Sequence, residues 1–444
     1  MMKSTRMPLH VKSSSAASFS ELSIKLTEKL SKDEKKNGGI FFTPPSCVQS
    51  ILSLLRSTAE ICGVSKTIRH IMEPSCGSGE FITALSKEYP DAMITGIEYN
   101  PVIYEEISKT FANRDKIVVR HADFLKCETE LGIPSPDLII GNPPYFVMKK
   151  EEVAKEYYPY FDGRPNIFAL FIIKAATMLR AGGLLCFVLP SSFMNSSYYD
   201  KTRKFIVAHF AILHVVRCET LDSSVKYIDT VQDTIVLIIQ KKPTDGGADG
   251  SDGGVYEKNG MTIFTDNIPR LVRLYKGSRS LHELDFNVHV GTVVWNQCKD
   301  ILTDDASKTR LIYSSNIASG KFVHKTYKNA EKKAFIHKAG IQTPMIVLNR
   351  GYGVGEYHFD YCFISPEIVE SAAFLVENHL ICITSRRVTE SLSSSLDRFQ
   401  AVIRSFQDPR TTEFIACYFG NNAVNTNELN HMLPIYDDGA IQEI

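Results

Sequence analysis

The chain has 444 residues, 44% hydrophobic and 23% charged, the balance of an ordinary soluble globular protein with room for two or three domains. No stretch approaches the run of about 18 apolar residues that a membrane-spanning helix requires. Its ten cysteines are scattered and never occur as Cys-x-x-Cys, which argues against a disulfide scaffold and a zinc site and for a reduced intracellular setting.

Net charge is zero overall but not locally. Residues 1–255 carry 30 Lys and Arg against 29 Asp and Glu, residues 256–350 carry 15 against 8, and residues 351–444 carry 5 against 13. A basic block inside a neutral chain suits a surface that meets a polyanion.

Residues 1–38 open Ser-rich and basic, with no acid before Glu21. They read as a flexible N-terminal segment rather than an organelle-targeting peptide. "FFTPP", Phe41 to Pro45, then leads into a helix opened by proline, with Val48, Ile51, Leu52 and Leu55 on one face. From 66 to 242 short apolar runs alternate with amphipathic stretches. The runs are "TIRHIME", "MITGIE", "KIVVRHA", "DLIIGN", "GLLCFVLP", "AILHVVRC" and "TIVLIIQKK"; helices are predicted over "EFITALSKEY" and "NIFALFIIKAATMLR". Strands alternating with helices predict an α/β fold, a mostly parallel sheet with helices on both faces. "TDGGADGSDGG", Thr244 to Gly254, has no use in a packed element and marks a linker over 244–255.

In such a sheet ligands bind at the carboxyl ends of the strands, so the residues just after each apolar run carry the information. After the first run comes "EPSCGSGEF", in which Gly77 and Gly79 allow a tight turn and close approach to a ligand. It is neither a full Gly-x-Gly-x-x-Gly nor a Walker A sequence, and Glu73 and Glu80 would repel phosphate. Glu98 ends the second run, placed to accept from both hydroxyls of a ribose. Asp123 and Phe124 follow the third, an acceptor and a ring suited to adenine. Together these describe a site for adenosine with a positively charged appendage, which S-adenosylmethionine satisfies better than a pyrophosphate-bearing dinucleotide.

The fourth run ends in Asn142-Pro143-Pro144-Tyr145. The Asn142 side-chain oxygen and the Pro143 carbonyl, held by a rigid corner, are two acceptors for the two protons of an exocyclic amine. Tyr145 supplies a ring to stack on its base. Neither Cys47 nor Cys76 stands where an attacking thiol is wanted, and both read as packing residues. His121 reads as structural.

"GNPPY" after "EPSCGSG", with "FFTPP" upstream, resembles the gamma-class N6-adenine DNA methyltransferases, TaqI-like in layout, over residues 39–242. The stretch from Gly163 to Phe193 is also similar to the middle motifs of that family. The resemblance implies a Rossmann-like S-adenosylmethionine-dependent methyltransferase sheet over 39–243 and a mixed α+β target-recognition domain over 256–444. It implies cofactor contacts from Thr43, Pro44, Glu73, Cys76, Gly77, Gly79, Glu98, Asp123, Phe124 and Asn142. Catalysis falls to Asn142, Pro143, Pro144 and Tyr145, and Tyr227, counted back from the last strand, stacks on the second face of the flipped base. No metal is implied. The implied partner is double-stranded DNA, met as a monomer and away from any membrane, with room for a cognate restriction endonuclease acting separately.

Beyond 255 no base-contacting residue can be mapped. "LNRGYGVGEYHF", Leu348 to Phe359, reads as a hairpin before a DNA-facing loop, and Trp295-Asn296-Gln297 as packed or solvated before base-reading. Two other substrates stay open: an RNA base, adenine or guanine, and the side-chain amide of a protein glutamine, which also presents an NH2. The length beyond the catalytic sheet weighs against the second.

Overall fold

The structure is a computed structural model that describes residues 19–127, 134–221, 233–243, 254–350, 359–387, 392–419 and 424–436. The chain forms two compact units. The first runs to Phe193, resumes over Tyr198–Val255 and takes in Phe264–Asp266; the second comprises Met194–Ser197, Tyr256–Ile263 and the residues from Asn267 on.

Seven strands build the sheet of the first unit: β1 (His70–Glu73), β2 (Met93–Glu98), β3 (Ile117–His121), β4 (Leu138–Gly141), β5 (Leu184–Pro190), β6 (Phe210–Arg217) and β7 (Thr234–Lys241). Their order is β3-β2-β1-β4-β5-β7-β6. β1 to β5 are parallel, whereas β7 pairs antiparallel with both β5 and β6. β7, last in sequence, thus lies between the two strands that precede it. The order turns outward from β1 and β4 in opposite directions, and that switch point puts the ends of β1, β2, β3 and β4 around one crevice.

Helix α3 (Pro45–Ile61) starts with proline at its first turn and buries Val48, Ile51, Leu52 and Leu55. These residues join Phe81, Ile82 and Leu85 of α4 (Glu80–Glu88) over Ile71, Ile94, Ile140, Cys186 and Ile238 of the sheet. Between β2 and β3 runs α5 (Pro101–Phe111), capped by the Asn100 side chain, which accepts from the N–H groups of Val102 and Ile103. α6 (Ile167–Met178) buries ten of its twelve residues, all but Lys174 and Thr177, as its mostly apolar sequence requires. Asp137, at the start of β4, accepts from the backbone N–H groups of Arg69 and His70 at 2.7 and 2.8 Å and pairs with Arg180, which ties β4 to the strand beside it.

The expectation of a flexible segment over 1–38 is corrected from Glu21 on. α1 (Glu21–Lys29) and α2 (Lys32–Gly38) are formed. Leu26 and Leu30 are buried against Ile103 of α5. Ser23 donates to Ser78 at 2.7 Å, and Glu80 accepts from the Ser20 N–H at 3.0 Å. α2 buries nothing of its own; a capping box between Ser31 and Glu34 holds its first turn.

The second unit is mixed. Phe286–Val290, Leu380–Ser385, Met345–Asn349 and Tyr361–Ile364 form an antiparallel sheet in that order. Ile346 and Leu348 face a core shared with Phe399, Val402 and Phe406, while Met345 and Val347 face another with Cys362 and Ile364, so alternate residues are buried on both faces. A smaller sheet joins Thr309–Ile312 in parallel to Phe374–Val376 and antiparallel to Phe335–Ile336. Three helices, Leu392–Phe406, Pro409–Tyr418 and Thr426–His431, follow. Most of the Gly- and Asp-rich linker lies outside the described residues. Among the described residues no helix is long and apolar enough to cross a membrane, and no group of three or more His, Cys, Asp or Glu could hold a metal ion.

Candidate active site

A cavity of about 540 Å3 opens at the carboxyl ends of β1, β2, β3 and β4. Of the residues named from the sequence, Gly77, Glu98, Asp123, Phe124, Asn142 and Pro144 line it. Thr43, Pro44, Glu73, Cys76, Gly79, Pro143 and Tyr145 do not line it. Tyr227 lies outside the described residues.

Glu98 ends β2 and is only 7% exposed. One carboxylate oxygen accepts from the Gly77 N–H at 2.9 Å, the other from the Asn100 N–H at 2.7 Å. Each oxygen keeps a lone pair, so the group can still accept from a diol. Burial raises its pKa, and the backbone donors at Asn100 and Gly77 oppose that rise. Gly77 turns with φ of +51°, and a Cβ there would meet the Phe42 ring at 3.3 Å.

Glu73 ends β1 and is 2% exposed. Its pKa is pushed well above the usual carboxylate range, first by burial and then by the charge of Glu98. One of its carboxylate oxygens has no hydrogen-bond partner. Burial beside a second acid therefore disfavours its charged form. Cys76 is buried behind the turn with its thiol pKa raised by burial, then by the charges of Glu73 and Glu98, as a packing cysteine should be. Gly79 opens α4 in the left-handed region, where a Cβ would meet the Phe111 ring at 2.8 Å.

At the third strand end the Asp123 carboxylate accepts from the Leu125 N–H at 3.1 Å and pairs with Lys126 at 3.2 Å. Phe124 packs against Phe171, ring centres 4.9 Å apart, and both line the cavity. His121 stacks on Tyr104 at 4.9 Å and contacts the Tyr99 carbonyl through Nε2 at 3.1 Å, a structural role.

The corner after β4 is tied to the glycine turn, since the Ser75 hydroxyl donates to the Asn142 carbonyl at 3.2 Å. Asn142 Nδ2 donates to Thr43 Oγ1 at 3.1 Å and to the Phe41 carbonyl at 3.3 Å. On the other edge Asn142 Oδ1 accepts from the Tyr145 hydroxyl at 2.5 Å, and that hydroxyl also lies 2.8 Å from the Val188 carbonyl. Tyr145 is half-buried rather than freely exposed, with its ring edge-on to Phe168 at 5.9 Å.

The sequence reading missed one wall of the cavity. Glu34, Asn37, Gly38 and Gly39 of the N-terminal helices line it together with Ile40, Phe41 and Phe42. Gly39 has φ of +59°, and a Cβ there would stand 2.6 Å from the Tyr145 backbone nitrogen. The signal that could have located this wall is "SKDE", a capping sequence, followed by "NGG", a helix stop, directly before "IFFTPP".

Residues 14–222 match the Eco57I restriction-modification methylase family. The match is confined to those residues, a little under half of the chain, and supports a methylase domain there. It is 29% identical over 399 residues to the type II methyltransferase M.CvrRI of Paramecium bursaria Chlorella virus XZ-6E, an alignment covering 89% of this chain and 93% of the relative. It is 29% identical over 300 residues to the modification methylase CviBIII of Paramecium bursaria Chlorella virus NC1A, covering 67% and 71%. The type IIG restriction endonuclease BpuSI overlays on 90% of this chain and 60% of its own at a TM-score of 0.41 and 12% identity. The chain is a type II DNA methyltransferase of the restriction-modification kind, and its cofactor is S-adenosylmethionine. The cavity fits that group: Glu98 can accept from a ribose diol, and Phe124 and Phe171 form an apolar floor.

In the second unit Trp295 packs with Leu311 and Ile336, while Asn296 and Gln297 are exposed. Residues 351–358 of the glycine-rich stretch lie outside the described residues.

Proposed function

We propose that the base methylated is adenine, at N6, in double-stranded DNA and flipped out of the helix. The observation that carries this reading is the Asn142 carboxamide at the cavity wall, with its oxygen edge set by two acceptors on its nitrogen edge. When bound, S-adenosylmethionine supplies a methyl group already activated by the adjacent sulfonium. The protein's part is to position the amine. Asn142 Oδ1 and the Pro143 carbonyl accept its two protons and draw its lone pair out of the ring. No attacking side chain is required, and the proton released from the methylated amine goes to solvent.

An adenine within a duplex cannot reach the end of a strand, so it must leave the stack at a cost of a few kcal/mol. Tyr145 and Tyr227 on its two faces would offset part of that. The basic block 256–350 supports phosphate contacts that give affinity without sequence preference. The same reading takes the enzyme to act as a monomer inside the cell, separately from any restriction endonuclease.

Tritiated S-adenosylmethionine with unmethylated duplex DNA, and in parallel with RNA and with a protein extract, tests this. Label in N6-methyladenine at one short motif, lost in Asn142→Ala, is the expected result. Label in cytosine, in RNA or in protein overturns the substrate.

A further inference from the structure

Thr43 is expected, by resemblance, to touch the cofactor. Its side chain is 5% exposed and does not line the cavity. Its hydroxyl oxygen instead accepts from Asn142 Nδ2.

The two ends of a carboxamide have nearly the same shape, so half a turn about its last bond exchanges a donor edge for an acceptor edge. Asn142 works as an amine acceptor only if its oxygen faces the amine. The Phe41 carbonyl can only accept, so the edge facing it must be the NH2. Thr43 Oγ1 takes a contact from that same nitrogen. The opposite edge is then Oδ1, which the Tyr145 hydroxyl reaches. An NH2 carries two protons, and Phe41 and Thr43 between them supply both acceptors. With Thr43 removed, one N–H of Asn142 loses its partner and the carboxamide is free to tilt.

We infer that Thr43 is a positioning residue for the reaction: it holds the Asn142 carboxamide with its oxygen toward the target amine. This rests on the reading of Asn142 as the amine acceptor. It places the determinant of the catalytic acceptor on a residue 99 positions earlier in the chain.

The test compares wild type, Thr43→Val, Thr43→Ser and Asn142→Ala in the full chain. Single-turnover methylation of duplex DNA is measured at saturating cofactor, and cofactor affinity by calorimetry. Thr43→Val keeps the shape and loses the acceptor. Its single-turnover rate is expected to fall about 10- to 100-fold with cofactor affinity within about twofold of wild type, and Thr43→Ser to recover most of the rate. Weakened cofactor binding with an unchanged single-turnover rate overturns the inference in favour of a cofactor contact. A Thr43→Ser variant as slow as Thr43→Val also overturns it, because the hydroxyl is then not what matters. Should Thr43→Val fail to fold, Thr43→Ala is read by the same criteria. An active Asn142→Ala would bring down the reading of Asn142 itself, an outcome distinct from a fast Thr43→Val beside an inactive Asn142→Ala.

Discussion

Gly39→Ala should slow methylation although the residue is 106 positions before Tyr145 in the sequence. Two effects separate cleanly. The first is conformational: Gly39 sits at φ of +59°, and a side chain in that left-handed region costs about 1–2 kcal/mol. The second is contact. A Cβ would stand 2.6 Å from the Tyr145 nitrogen and 3.1 Å from its carbonyl carbon, against 3.4 Å for ordinary van der Waals contact. Backbone cannot rotate away as a flexible side chain can, so α2 or the Asn142–Tyr145 corner must move by about 0.8 Å, the difference between 3.4 and 2.6 Å. A misplacement near 1 Å costs on the order of 100-fold in rate, so a loss of roughly 30- to 100-fold is expected. Gly63→Ala is the control: its φ is +68° and nothing lies within 4 Å of the added carbon. It should lose about 1–2 kcal/mol of stability, a few degrees in Tm, and no activity. Thermal melts and single-turnover methylation of duplex DNA, run on both variants, decide the matter. Gly39→Ala with the wild-type rate and the same melting loss as Gly63→Ala would refute the claim that α2 buttresses the corner.

Glu98→Gln should weaken S-adenosylmethionine binding by about 10- to 100-fold in calorimetry, the worth of hydrogen bonds to a charged acceptor. Glu73 gives a pH dependence. Its folded pKa is raised well above its unfolded value, so its favourable contribution is full below the unfolded pKa and lost as pH rises through the folded one. Glu73→Gln should therefore be more stable than wild type at neutral pH, with the difference vanishing near pH 4 and growing between the two pKa values by up to about 1.4 kcal/mol per pH unit. Urea melts at several pH values check this, and a difference independent of pH would contradict it. Tyr145→Phe keeps the ring but frees the Asn142 and Val188 oxygens, and a rate loss of about 3- to 10-fold is expected, near 1 kcal/mol. Tyr145→Ala should lose base stacking as well, about 1–3 kcal/mol, seen as weaker binding to DNA carrying an extrahelical target base.

The strand-end residues were legible because of an elementary property of parallel sheets: every strand delivers its carboxyl end to the same edge. The residues after each apolar run therefore converge without any contact being known, and Gly77, Glu98, Asp123, Phe124 and Asn142 do line one cavity. The antiparallel insertion of β7 between β5 and β6 was not legible, since pairing depends on which edge a strand reaches and its own alternation is the same in either direction. Glu73, Cys76 and Gly79 lie in a motif that reads as one unit, yet their side chains or Cβ positions meet the sheet and helices behind the turn instead of the cavity.

Residues 21–38 show most clearly what needed the tertiary structure. Their sequence is polar, α2 buries none of its residues, and composition alone marks them as solvated chain. They become a wall of the site because Leu26 and Leu30 find Ile103, and because a glycine without a Cβ lets α2 end against the Tyr145 backbone. The sequence by itself determined the strand-end chemistry, which follows from local pattern and sheet geometry. Which edge of Asn142 carries its NH2 was decided by Phe41 and Thr43, about a hundred residues away, and a hydrogen bond over that separation exists only once the chain has folded.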